Sequence, residues 1–177
     1  YDAIVAPSTA NGKNILPRMI TQPGTVHAYR FGGKAGRVTQ DRYWRDVGTL
    51  DAYYEANMDL LLPIPPLDLY QEDWSIRTYH GQNPPARMVP GRSGSQGEFL
   101  NSILGAGTII SGGCVRHSIL SARVVVEDRA EVDNSILFDA VRVGPGARLQ
   151  RCIVDKGAHV PPGETIGHDH EADRRRG

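Results

Sequence analysis

The stretch that decides the fold runs from residue 102 to residue 166 and reads SILGAGTIISGGCVRHSILSARVVVEDRAEVDNSILFDAVRVGPGARLQRCIVDKGAHVPPGETI. Large aliphatic residues recur in it at steps of five or six positions: Leu104, Ile110, Val115, Leu120, Val126, Val132, Leu137, Val143, Leu149, Val154, Val160 and Ile166. A helical face requires a period near 3.6 and a half-buried strand requires a period of two. The pattern therefore favours neither a helix nor a hairpin.

A six-residue unit is typical of a left-handed parallel β-helix, in which three short strands make one triangular coil. We expect the large aliphatic residue of each unit to fill the interior, and coils to stack about 4.8 Å apart. Four positions later we expect a small or β-branched residue near a corner: Thr108, Cys114, Ile119, Val124, Ala130, Ile136, Val141, Ala147, Ile153 and Ala158. Glu164 breaks this run. We expect tight turns at Gly105, Gly112, Gly144, Gly157 and Gly163. About three and a half coils fit between Leu104 and Gly167.

The rest of the chain differs from the repeat in composition. Residues 49–62 are the best helix candidate, because Thr49 can cap a helix and Pro63 would end it. Residues 63–100 are proline-rich and are interpreted as a connector. The predicted organisation is therefore a domain remnant at 1–62, the connector at 63–100, the β-helix at 101–167 and a polar, solvated tail at 168–177.

Composition and charge exclude several classes of protein. The 177 residues carry 20 Lys and Arg against 20 Asp and Glu, so bulk electrostatic binding to nucleic acid is not expected. No apolar run approaches the roughly 18 residues of a membrane helix, so no membrane partner is expected. Two cysteines cannot form a disulfide framework, which favours a cytoplasmic location.

Histidine and cysteine do not suggest chemistry within the repeat. His117 and His159 occupy non-equivalent positions of the coils, so a zinc site made of converging imidazoles is not expected. Cys114 falls on a predicted inward position and is expected to be a buried, inert thiol. Cys152 takes the place that serines take in other coils and is also expected to be structural.

An acidic residue stands beside a glycine turn at the start of the predicted helix. Asp46 is followed by Gly48 and Thr49. Backbone N–H groups at such a place attract phosphate, and a carboxylate can hold Mg²⁺. Asp46 is equally consistent with a turn residue at the helix entry, and the residues alone leave both interpretations open.

Several longer runs resemble one known family. They are YWRDVGTLDAYYEANMDL at 43–60, NGKNILPRMI at 11–20, RSGSQG at 92–97 and RCIVDKGAHVPP at 151–162. Together they resemble the C-terminal portion of bacterial glucose-1-phosphate adenylyltransferase. The resemblance implies a mainly β chain, in which the truncated end of an α/β nucleotidyltransferase domain precedes the left-handed β-helix. It also implies an activity in glycogen biosynthesis, in which ATP and glucose 1-phosphate give ADP-glucose and pyrophosphate.

The same resemblance implies roles for particular residues. Asp46 would be one of two aspartates that hold Mg²⁺, and Trp44, Arg45 and Gly48 would form the active-site wall around it. Lys156 would contact phosphorylated metabolite effectors in the penultimate coil, although a solvated turn lysine is the plain alternative. The complete enzyme is expected to be a homotetramer.

Other features of the family are missing from this sequence. Its glycine-rich nucleotide-binding loop, its other metal aspartate and its sugar-phosphate lysine are expected to precede residue 1. We therefore expect the chain to be a C-terminal fragment that is inactive alone. The alternative is a non-catalytic β-helix module for oligomerisation or effector sensing.

Overall fold

Short parallel strands dominate the structure, a computed structural model that describes residues 45–70 and 81–176. The strands of the described residues follow one another through three sheets in turn: β1–β4–β7–β10–β13, β2–β5–β8–β11–β14 and β3–β6–β9–β12. The strand bounds are β1 Arg87–Val89, β2 Glu98–Leu100, β3 Ile103–Leu104, β4 Ile109–Ser111, β5 Cys114–Arg116, β6 Ile119–Leu120, β7 Val125–Val126, β8 Glu131–Asp133, β9 Ile136–Leu137, β10 Arg142–Val143, β11 Arg148–Gln150, β12 Ile153–Val154, β13 His159–Val160 and β14 Thr165–Ile166. This winding forms the predicted solenoid, and its first coil begins at Arg87, within the segment interpreted as a connector.

The aliphatic repeat fills the interior of the β-helix. Nine of its twelve members are at most 4% exposed: Ile110, Val115, Leu120, Val126, Val132, Leu137, Val143, Leu149 and Val160. The other three, Leu104, Val154 and Ile166, lie toward the ends of the stack and are partly buried against this core. Complete burial of such a side chain stabilises the fold by about 1.5–3 kcal/mol. The predicted inward positions are therefore confirmed.

The prediction for the corner residues is correct in six-residue units and wrong in five-residue units. The small inward residue lies two positions before the next aliphatic residue, because alternate residues of a strand share a face. In five-residue units this position holds Ser118 and Ser135, both fully buried, and the equivalent Cys152. The predicted Ile119, Ile136 and Ile153 instead lie beside the inward aliphatic residue of their strand, on the outer side of the third sheet.

Buried hydroxyls link consecutive coils at this corner. The Ser118 hydroxyl donates to the Arg116 carbonyl at 2.7 Å and accepts from the Ser135 N–H at 3.0 Å. Ser135 repeats the pattern, with the Asp133 carbonyl at 2.8 Å and the Cys152 N–H at 3.3 Å. Each buried hydroxyl thus has both a donor and an acceptor partner, which removes the cost of its burial. Burial raises the pKa of the Cys152 thiol, which agrees with its predicted structural role.

Cys114 does not lie on an inward position, contrary to the prediction. It is outward on β5, where Val115 is the buried residue, and its Sγ lies 3.6 Å from a carboxylate oxygen of Glu98. Gly113 takes the inward corner position instead, because the unit from Ile110 to Val115 has only five residues. Burial, followed by the hydrogen bond to Glu98, raises the pKa of the Cys114 thiol. A raised pKa lowers the thiolate fraction at neutral pH, which disfavours reaction of this partly exposed thiol.

Two kinds of glycine serve the corners. Gly112, Gly157 and Gly163 have φ of 70°, the left-handed conformation that the turn prediction requires. Gly105 and Gly144 are needed for close approach instead. A Cβ on Gly105 would lie 2.5 Å from the backbone carbonyl carbon of Ser121 in the next coil.

Left-handed backbone also occurs at corner residues other than glycine, and one of them offers a test of corner strain. Ala140 has φ of 60°, a conformation that costs an L-residue roughly 1 kcal/mol. We expect Ala140→Gly to raise the free energy of unfolding by up to about 1 kcal/mol in urea denaturation. Ala122→Gly, one coil earlier and without a positive φ, is expected to give no stabilisation. Equal effects of the two changes would contradict the strain assignment.

A loop between β1 and β2 wraps one corner of the β-helix. The Asp128 carboxylate accepts the Ser93 N–H at 2.8 Å and the hydroxyls of Ser93 and Ser95. Glycine at position 91 leaves room for that carboxylate, because a Cβ there would lie 2.5 Å from the carboxylate carbon and would force Asp128 to move. The hydrogen bonds from Ser95 and Ser93 lower the pKa of Asp128. The ionised form of the Asp128 carboxyl group is therefore the form that holds the loop.

The Asp128 contacts predict how the loop responds to substitution and to pH. Asp128→Asn removes the negative charge and one of the two oxygens that accept hydrogen bonds from Ser93 and Ser95, so trypsin is expected to cleave after the exposed Arg92 several times faster. A lowered pKa means that the contacts persist at neutral pH and are lost as the pH falls through the folded-state value, below about 4. Hydrogen exchange of the Ser93 amide, corrected for intrinsic rate, measures that loss. The control Asp139→Asn alters another corner, and faster cleavage after Arg92 in this variant would argue against the assignment.

Two α-helices accompany the strands in the described residues: α1 (Leu50–Met58) and, within the predicted solvated tail, the short α2 (His170–Arg176). Asp169 caps α2 by accepting the N–H groups of Glu171 and Ala172 at 3.0 and 3.1 Å. A carboxylate oxygen of Asp173 accepts the Gly167 N–H at 2.9 Å, which ties the helix to the last coil. No helix among the described residues is long and apolar enough to cross a membrane.

Candidate metal-binding segment and effector corner

The predicted helix forms where its capping signals place it. Helix α1 (Leu50–Met58) is capped by Thr49, whose hydroxyl accepts the Ala52 N–H at 3.1 Å. It continues as a 3₁₀ turn (Asp59–Leu61), after which Leu62 is extended with ψ of 148°. An extended residue before Pro63 is expected from the steric demand of proline.

Asp46 lies just before this helix with an exposed side chain. Its Oδ1 accepts the Gly48 N–H at 3.2 Å, which is an Asx-turn. A Cβ on Gly48 would approach the same oxygen to 3.3 Å, so glycine eases this turn. The turn role considered from the sequence is thus present, and the carboxylate also remains accessible to solvent.

The donor chemistry of Asp46 fits a magnesium ion. Mg²⁺ takes oxygen ligands and is commonly held by one or two carboxylates together with substrate phosphates and water. Across residues 45–70 and 81–176, no group of three or more His, Cys, Asp or Glu side chains is placed to hold a metal. Asp46 can therefore supply one ligand of such a site, and the remaining ligands would come from other groups.

Arg45, predicted to line the active-site wall, makes two ion pairs with helix α1. Its guanidinium donates from Nη1 to Glu55 Oε2 at 2.9 Å, and its Nη2 lies 2.8 Å from Asp59 Oδ2. Trp44 was also predicted to line this wall, but it lies outside the described residues. The sequence analysis missed the two carboxylates, although Glu55 lies in the second half of the helix and Asp59 begins the 3₁₀ turn that follows it. Acidic groups there oppose the helix dipole and indicate a nearby cation.

Helix α1 packs on the outer side of the β-helix. The Tyr54 hydroxyl donates to the Asn134 carbonyl at 2.7 Å, and the Tyr53 ring meets Phe138 edge-on with 6.2 Å between centroids. Ile136 lies between these two contact points in sequence and is only 1% exposed, although it is not part of the interior core. Burial raises the pKa of Tyr54. Through these two contacts, the helix that follows Asp46 is attached to the middle coils of the β-helix.

Lys156, the predicted effector residue, lies at a corner of the penultimate coil with an exposed side chain. Its N–H donates to Asp155 Oδ1 at 2.7 Å, and the following Gly157 has a left-handed backbone. The corner is rigid and presents the ammonium group to solvent, which agrees equally with an anion ligand and with a solvated lysine. His117 is hydrogen-bonded through Nδ1 to the side-chain amide of Asn101 at 2.8 Å.

Comparison with known proteins matches both parts of the chain. The chain is 52% identical over 165 residues to glucose-1-phosphate adenylyltransferase 2 of Vibrio cholerae, covering 93% of this chain and 40% of that protein. It is 48% identical to the glucose-1-phosphate adenylyltransferase of Rhodopirellula baltica, with 94% and 37% covered. For the enzyme of that name from Deinococcus deserti, the identity is 44%, with 94% and 41% covered. The chain therefore spans about two-fifths of the length of these relatives.

The matched region is the C-terminal portion of these relatives, which confirms the resemblance identified in the sequence. About three-fifths of the length of each of these relatives lies outside the match. A family model described as "GlmU-like, C-terminal hexapeptide" matches residues 84–177, which include every strand of the β-helix. The chain belongs to this GlmU-like C-terminal hexapeptide family.

Proposed function

We propose that this chain is the C-terminal part of an enzyme that makes ADP-glucose and pyrophosphate from ATP and glucose 1-phosphate, for glycogen synthesis. One observation supports the proposal above others: the 52% identity extends over 93% of the chain. Because the match covers nearly the whole chain, both the Asp46 segment and the Lys156 corner fall within the match. A β-helix shared with unrelated enzymes would not produce a match across the Asp46 segment as well.

In the proposed reaction, a phosphate oxygen of glucose 1-phosphate attacks the α-phosphorus of ATP, and pyrophosphate leaves. A bound Mg²⁺ would neutralise charge on the phosphates, and Asp46 is the described residue that would hold it. The Gly48 N–H fixes one carboxylate oxygen of Asp46, so the side chain keeps its orientation without a substrate. Thr49 and helix α1 hold the backbone behind it.

The proposal predicts different behaviour for the short chain and for the full-length protein that contains it. The 177-residue chain is expected to form no ADP-glucose from ATP, glucose 1-phosphate and Mg²⁺. The full-length protein is expected to form ADP-glucose and pyrophosphate in equal amounts, measured by chromatography. Product formation by the short chain would contradict the proposed division of the active site, and a lack of product with the full-length protein would contradict the activity.

The effector role of Lys156 is part of the same proposal and has its own test. An exposed ammonium group on a rigid corner can pair with a phosphate group. We expect Lys156→Ala in the full-length protein to weaken the response of the rate to a sugar bisphosphate about tenfold, with little change in basal rate. Lys156→Arg, which keeps the charge, is the control. An unchanged response of the alanine variant would assign Lys156 to the solvated surface.

We also propose that the complete enzyme is a homotetramer. In the first coil Met88 and Leu100 are 49% and 57% exposed, and a neighbouring subunit would cover such apolar surface. Light scattering of the full-length protein tests this, with a mass four times that of one chain expected and a monomer mass contradicting it.

A further inference from the structure

We propose that Arg45 is a positioning residue for the Asp46 carboxylate, holding the segment before helix α1 against the helix. This inference rests on the proposed function, since it assigns Asp46 the metal. It gives Arg45 a role different from a wall residue that contacts substrate. The argument depends on the ion pairs of Arg45 and on the two anchors that enclose Asp46.

The first anchor is the pair of carboxylates that Arg45 meets. Glu55 lies ten residues after Arg45 and Asp59 lies fourteen after it, so the side chain reaches the far half of the helix. Two carboxylates near a helix C-terminus repel each other and oppose the dipole. A guanidinium bridging both of them satisfies the two charges at 2.9 and 2.8 Å with its planar donor geometry.

The second anchor is the helix cap at Thr49. Between the two anchors lie only Asp46, Val47 and Gly48, and the hydrogen bond from Gly48 to Asp46 closes the turn. The segment is thus fixed at both ends, and Asp46 is directly bonded to Arg45. Loss of the ion pairs to Glu55 and Asp59 would remove one of these two anchors, and the carboxylate would sample more positions. Removing a group that hydrogen-bonds a metal ligand typically weakens metal binding by about 10–100-fold. Arg45 acts through the backbone next to the ligand, so we expect an effect at the lower end of that range.

A substrate-contacting role makes a different prediction for the partners of Arg45. If the guanidinium binds a substrate phosphate, removing Glu55 and Asp59 charges would leave metal binding unchanged. If it positions Asp46 through these ion pairs, removing those charges would weaken metal binding, as removing the guanidinium would. The carboxylate partners therefore distinguish the two roles.

The test uses the full-length protein with Arg45→Met, with the double variant Glu55→Gln and Asp59→Asn, and with Arg45→Lys. Mn²⁺ binding is measured by electron paramagnetic resonance, alongside the Mg²⁺ dependence of ADP-glucose synthesis. We expect the first two to weaken Mn²⁺ binding about tenfold or more and to raise the half-saturating Mg²⁺ concentration similarly. Arg45→Lys is expected to recover part of the affinity, because an ammonium group can still reach one carboxylate.

Unchanged Mn²⁺ binding in the double variant would overturn the positioning role. A parallel fall in melting temperature and in activity, with unchanged metal affinity, would likewise overturn it in favour of a purely structural role. Failure of the proposed function is seen separately, as a lack of ADP-glucose synthesis by the unaltered full-length protein. The Mn²⁺ titration does not depend on turnover and distinguishes the two failures.

Discussion

Replacement of Asp46 by Asn in the full-length protein is expected to lower kcat for ADP-glucose synthesis by about a hundredfold or more. The amide can still accept the Gly48 N–H that now closes the turn at 3.2 Å, so the local backbone is kept. What is lost is the negative charge that a hard cation requires. Since a metal contributes several kcal/mol of charge stabilisation in phosphate chemistry, the rate should fall steeply. Steady-state rates at saturating ATP and glucose 1-phosphate, over a range of Mg²⁺ concentrations, measure the effect.

Asp51 provides a matched control for this experiment. It is an exposed acidic residue in the first turn of the same helix, five residues from Asp46. Asp51→Asn removes the same charge near the same helix end, so general electrostatics would affect both variants alike. We expect Asp51→Asn to change kcat by less than about twofold, because an exposed charge at a helix end interacts weakly. A wild-type rate for Asp46→Asn would show that this carboxylate does not hold the metal.

The second large effect is expected from Leu137→Ala, in the middle of the β-helix core. Leu137 is fully buried and pairs in register with Leu120 and Val154 of the adjacent coils. The substitution removes buried methyl groups and leaves a cavity that stacked coils cannot easily close. The free energy of unfolding is therefore expected to fall by about 2–5 kcal/mol, measured by urea denaturation followed by circular dichroism.

Leu104→Ala is the matched control for the core substitution. Leu104 occupies the equivalent position of the first coil, where it is only partly buried. The same atoms are removed, but the side chain is already partly exposed, so solvent can reach the space that it leaves. We expect a loss of about 1–2 kcal/mol, smaller than that of Leu137→Ala. Equal losses would mean that the two ends and the centre of the β-helix are equally well packed, contrary to the structure.

The period of the repeat was enough to predict the interior of the fold. An aliphatic residue faces inward at every fifth or sixth position, because each strand is short and presents one large side chain to the core. The corner residues could not be predicted in the same way. The prediction counted four positions forward from each aliphatic residue, and in a five-residue unit that count ends one position past the inward corner residue. Ile136 shows the consequence. It is β-branched, as expected of a corner residue, but it is buried outside the core, between Asn134 and Phe138, the two residues that helix α1 contacts.

The candidate site was predictable where its signals are local. Asp46, the Gly48 turn and the Thr49 cap lie within four residues of one another, and the structure reproduces the turn and the cap. By contrast, the hydrogen bond from the Tyr54 hydroxyl to the Asn134 carbonyl joins residues 80 positions apart. No periodicity or capping rule connects such positions, since the contact exists only after the β-helix has formed.

The intact mass of the protein purified from its native source tests the central claim most directly. We propose that these 177 residues are the C-terminal part of an adenylyltransferase, of which they span about two-fifths of the length of the matched relatives. We therefore expect a polypeptide about two and a half times the 19.4 kDa of this chain. A native mass of 19.4 kDa would contradict that proposal and would favour a non-catalytic β-helix module.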